Sequence, residues 1–183
     1  MIDRPSPRTA EHPMAFRWSE FRRGALAALI SFNVLFLPVA TIVGTISTGN
    51  PSGILVVFFY VALLHLVYVL AISAAATVIG GCAAYGLGVL LRGVSSVRRH
   101  IFAFAGLGLL VGGIVILIVG SWPKAENDIY GTLLDQITTP IVALPLLALC
   151  AFSVAYGWHW TASRSLEADG VEQLSAPEGQ LPG

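Results

Sequence analysis

The chain has 183 residues, 56% of them hydrophobic and only 11% charged, with a formal net charge of zero. Soluble domains carry charge at roughly a quarter of their positions, so a globule with this composition has too few ionic groups to cover its surface. That excludes an ordinary soluble domain and points to a single membrane-embedded unit, in which four spans of roughly 20 residues each leave only tails and short loops.

Residues 1–23 form a polar segment with Pro5, Pro7 and Pro13 and five arginines. Its first part, Met1 to Pro13, is expected to be disordered. From residue 14 to 23 the pattern changes: Met14, Trp18 and Phe21 recur at helical spacing, with Arg17 and Glu20 between them. This predicts either a short interfacial amphipathic helix or an extra turn at the start of the first span. Span one covers about residues 24–48. It follows a basic flank, as a signal sequence would, but its apolar run is far longer than a secretory core of about 7–15 residues. It is read as a retained span. Pro38, which lacks an N–H, is expected to loosen the helix one turn back, near Asn33 and Val34.

Gly49, Asn50, Pro51, Ser52 and Gly53 read as a tight turn. From Ile54 to Leu91 there is no Asp, Glu, Lys or Arg. As one helix this run is about 57 Å long, against a hydrocarbon core of about 30 Å. Either span two covers about 54–80 with an extension to 91, or the run folds back near Ser73 to Thr77 and the chain has five spans. A short basic loop, Arg92 to His100, precedes span three at 101–120. The next loop carries Trp122, Lys124, Glu126, Asn127, Asp128, Tyr130 and Asp135, and its Ile129, Leu133 and Ile137 recur every four residues, as in a helix resting on the membrane surface. Its acids lack calcium-loop spacing and read as a solvated loop. Span four covers 140–160, and residues 161–183 read as an acidic, disordered tail. No internal repeat is visible.

Charge chooses between four spans and five. Four spans place Arg4, Arg8, Arg17, Arg22 and Arg23 on the same side as Arg92, Arg98, Arg99 and Arg164, and leave only Lys124 opposite. By the positive-inside bias that side is cytoplasmic. The expected location is a cell membrane, with both termini cytoplasmic, and the Arg-over-Lys and Ala/Gly bias suggests a bacterial source. Trp18, Trp158 and Trp160 then fall at the inner boundary and Trp122 and Tyr130 at the outer one, where amphipathic rings belong. The fold class is therefore all-α: a polytopic four-helix transmembrane bundle.

Motifs for chemistry are scarce. No catalytic, metal or cofactor-binding set emerges, and no cofactor is predicted. The spans contain no acid, lysine or arginine, although proton relays and voltage sensors are usually built on such groups. Cys82 and Cys150 both sit in apolar runs and read as small fillers. His65 lies about 16 Å from the outer end of span two and Asn33 about 14 Å from the inner end of span one, so their depths nearly coincide. With Tyr60 and Tyr68 one turn away, they form a candidate polar cluster. It reads either as helix-to-helix glue or as part of a small-molecule pocket. A second constellation is the small-residue stripe Ala76, Gly80, Ala84 and Gly88 in span two, together with Gly108 and Gly112 in span three. Small side chains let helices approach closely in lipid.

Three function classes remain. A non-enzymatic scaffold, accessory or assembly subunit is favoured by the featureless spans. A small oligomeric permease or lipid-binding protein with a cavity near Asn33, His65 and Tyr68 comes next. A membrane enzyme using His65 is the weakest. The expected partners are the lipid bilayer and a protein partner or second copy, with no nucleic acid.

Overall fold

A computed structural model describes residues 8–9, 11–122 and 138–175; the side chains of 168 and 170–175 lie outside that description. Among the described residues there are helices and no strands. Four helices are long and apolar enough to cross a membrane. They are named here α1 (Trp18–Thr48), α2 (Pro51–Leu91), α3 (Val97–Gly120) and α4 (Pro140–Ser175). The expected surface helix around Ile129, Leu133 and Ile137, the acidic loop residues and the outermost parts of both tails lie outside the described residues.

Local chemistry explains the helix ends. Arg17 has extended backbone, and its N–H donates to the Glu20 carboxylate at 2.8 Å. The Glu20 charge also complements the positive end of the helix dipole. The helix thus begins at Trp18 and runs on as span one, the second of the two alternatives for residues 14–23. It passes through Pro38 without a break and stops at Gly49, whose φ of 63° lies in the left-handed region open to glycine. Pro51 then starts a single 3₁₀ turn, the first turn of α2. Pro140 opens α4, a position where the missing N–H costs nothing.

The α2 helix is continuous through Ser73 and Thr77, so the fold-back that would give five spans does not occur. At 41 residues it is about 60 Å long. One π-turn, His65–Val69, interrupts its α-helical ladder, with the Leu70 N–H bonding back to the His65 carbonyl. One face of the apolar turns that outrun the bilayer is covered by the chain's own N-terminal segment, while Val89 and Leu90 stay exposed. Tyr85 meets Trp18 and Phe21 edge-on, at centroid distances of 5.3 and 5.6 Å. The Met14 N–H donates to the Arg92 carbonyl at 3.2 Å, and Met14 itself is buried.

The tightly packed part of the bundle is α4 against α1 and α3. A Cβ on Gly157 would lie 2.5 Å from the Gly24 carbonyl oxygen and 2.8 Å from the Ala28 Cβ. One on Gly108 would lie 2.6 Å from the Cys150 carbonyl oxygen, and one on Gly112 2.9 Å from the Cys150 Sγ. Only glycine permits those approaches, and close backbone packing is the main attraction between helices in lipid. α4 also continues beyond Trp160, where composition places the start of a tail. Ala162 is 2% exposed and Ser165 8% exposed. Arg8 forms an ion pair with Asp169 and another with Glu20. These contacts hold the added turns against the N-terminal segment and the first turn of α1.

Candidate functional site

α2 stands off from this three-helix core. Between them lies a cavity of about 800 Å³ that follows the bundle from Gly24 to Thr48 on α1 and from Val56 to Arg92 on α2. Its walls are almost wholly apolar, with Phe32, Phe36 and Val39 from α1, Val111 and Val115 from α3, and Val154 from α4. The small residues Ala76, Gly80, Ala84 and Gly88 all lie on the α2 wall. Gly80 approaches Val111, and Ala84 packs on the cluster around Phe104 and Trp158. A Cβ at Gly81 or Gly88 would meet nothing within 4 Å. The stripe thus faces the cavity along most of its length, while Gly108 and Gly112 sit in the α3–α4 contact.

The four polar residues of the candidate cluster are not brought together as one group. Asn33 pairs with Ser73 across α1 and α2: its Nδ2 donates to the Ser73 Oγ at 3.1 Å and to the Leu29 carbonyl at 2.8 Å. His65 instead stacks on Phe36, with centroids 5.3 Å apart, and its Nδ1 is buried with no hydrogen-bond partner. Tyr60 lines the cavity, and Tyr68, 50% exposed, faces outward. The Asn33–Ser73 bond is worth about 0.6 kcal/mol by the average of such intramembrane pairs. His65 begins the π-turn, a feature often found at functional positions in helices.

A second polar group at the basic end of the bundle was not singled out from the sequence. Trp158 stacks on His100, 4.8 Å away, and on Phe104, 5.7 Å away, and meets Phe16 in a T-shaped contact. It is 7% exposed, so its ring belongs to the packed core. The His100 Nδ1 donates to the Ser96 carbonyl at 2.9 Å, which leaves Nε2 buried without a partner. The Trp158 Nε1, Thr161 Oγ1 and Ser153 Oγ are likewise buried without partners, and all three of these residues line the cavity. An orphaned buried donor costs about 1–3 kcal/mol, so three along one wall constitute a standing demand for acceptors. The signal in the sequence was the spacing of Ser153, Gly157 and Thr161, one residue per helical turn.

Thr161 also lines a smaller, polar pocket of about 300 Å³, with Glu20, Arg23, Trp160, Arg164 and Ser165. The Arg164 guanidinium lies 4.4 Å above the Trp160 ring. Glu20 is engaged by Arg8, whereas Arg23 and Arg164 have no carboxylate partner among the described residues. Among the described residues no group of three or more His, Cys, Asp or Glu side chains is arranged to hold a metal ion. No known protein family, curated protein sequence or solved structure matches the chain.

Proposed function

We propose that this membrane protein binds a lipid or comparable amphiphile inside the bilayer, in the cavity between α2 and the α1–α3–α4 core. The observation that carries this reading is the cavity's size and lining. It offers about 800 Å³ between almost wholly apolar walls, enough for hydrocarbon chains, and it is partly open, so such chains can enter from the bilayer. The positive-inside bias assigns the arginine-rich end, with both termini, to the cytoplasmic face of a cell membrane.

The test is native mass spectrometry of the protein released from mild detergent. Wild type is expected to retain about one amphiphile per chain. Gly81→Phe and Gly88→Leu add bulk to the cavity wall where a Cβ meets nothing, and are expected to abolish retention while leaving the protein folded. Equal retention by wild type and both variants would sink the proposal. A second reading, an accessory subunit that docks a partner helix, is favoured by the glycines outside the cavity. Gly86, Gly106 and Gly113 do not line it, and a Cβ on any of them would meet open space.

A further inference from the structure

Hydrocarbon alone cannot make the cavity selective, because a chain leaving the bilayer for an apolar wall exchanges one apolar environment for another. Selectivity has to come from the polar atoms on the wall. Their order along α4 is informative. Arg164 stands in the polar pocket; Thr161 lies about 4.5 Å and Trp158 about 9 Å further into the membrane, with Ser153 about 16 Å in. The interfacial layer of a bilayer is about 5–8 Å thick on each side. A phospholipid presents an anionic phosphate first, ester carbonyls a few ångströms deeper and hydrocarbon below. The basic pocket, the orphaned Thr161 and Trp158 donors and the apolar cavity occur in that same order, and Thr161 belongs to both pockets.

We infer that the occupant is an anionic phospholipid, with its phosphate between Arg23 and Arg164, its ester carbonyls on the Thr161 hydroxyl and the Trp158 Nε1, and its chains in the cavity past Ser153. This rests on the cavity reading above. The headgroup assignment rests on the buried hydrogen-bond donors without acceptors, beside which two exposed guanidiniums without carboxylate partners are placed to take an anion. Trp158 is decisive for polarity, since an indole N–H only donates and so requires an acceptor such as a carbonyl. Arg164 is held in place by its stack on Trp160, and a planar guanidinium engages phosphate oxygens in pairs. Basic pockets on the cytoplasmic side of helix bundles are suited to such headgroups.

The experiment uses the full chain, delipidated in detergent and incubated with phosphatidylglycerol, phosphatidylcholine or diacylglycerol of identical chains, with bound lipid counted by native mass spectrometry. Phosphatidylglycerol is expected to be retained at least about 10-fold better than diacylglycerol, which lacks the phosphate, and better than phosphatidylcholine, whose headgroup is neutral overall. Arg23→Gln with Arg164→Gln should bring phosphatidylglycerol down to the diacylglycerol level and leave diacylglycerol unchanged. The charge-conserving Arg23→Lys with Arg164→Lys should restore part of the preference. Trp158→Phe should weaken all three lipids by a similar factor. Retention of all three lipids without preference would overturn the headgroup assignment and leave the cavity reading standing. Retention of none would overturn both. Displacement of phosphatidylglycerol by millimolar inorganic phosphate would assign the arginines to a free anion and overturn the lipid site.

Discussion

At the scale of single residues, glycine and tryptophan have the most specific jobs. Gly157 and Gly108 exist where α4 touches its neighbours backbone to backbone, with no room for a methyl group. Gly113, on the same helix as Gly108, faces open space. Gly157→Leu is therefore expected to destabilise the bundle by about 1–3 kcal/mol or more through overpacking, and Gly113→Leu to change stability by less than about 0.5 kcal/mol. Reversible unfolding in mixed detergent measures both; equal effects would mean that the close approach at Gly157 is not a stabilising contact. The sequence makes these glycines visible as a pattern but not their roles, because GxxxG spacing says that two helices meet closely without saying which. Trp158 was likewise legible as an aromatic at the end of a span, whereas its burial depends on His100 and Phe104, which lie more than 50 positions away in the chain.

At the scale of elements, α2 is the feature that organises the rest. All but its first turn was readable from the absence of charge between Ile54 and Leu91, and the surplus over the bilayer follows from helical rise alone. What covers the surplus was not readable, because it depends on a segment that composition marks as tail. Met14, Phe16, Trp18 and Phe21 cover one face of it, anchored by the Met14–Arg92 backbone hydrogen bond and by Arg8 between Glu20 and Asp169. The same contacts explain why α4 runs on past Trp160 even though its sequence there reads as a tail: Ala162, Ser165 and Asp169 have a partner surface. Deleting residues 1–16 should expose the last turns of α2, so amide exchange over Cys82 to Leu91 is expected to speed up by at least about 10-fold, while α3 and the centre of α4 keep their protection. Unchanged exchange in α2 would show that the N-terminal segment does not hold it.

At the scale of the whole molecule, four spans followed from hydropathy and charge together, and the structure has four membrane-length helices with the arginines of the described residues gathered at one end. The layout of the candidate site was less legible. Matching depths brought Asn33 and His65 together on paper, but depth fixes only one coordinate; rotation about each helix axis sets the other. Asn33 turns toward Ser73 and His65 toward Phe36. The cavity is a property of the packing asymmetry, tight around α4 and loose around α2, and no local pattern encodes it. It is also the claim on which the functional account depends. The most direct test is photo-crosslinking in bilayers with a phospholipid that carries a diazirine on its acyl chain, followed by mapping of the adducts on the full chain. The account predicts adducts on cavity residues such as Ala76, Gly80, Val111 and Val154, lost on competition with unlabelled phosphatidylglycerol. Adducts confined to outward-facing residues such as Val34, Phe59, Leu90 and Leu117 would contradict it.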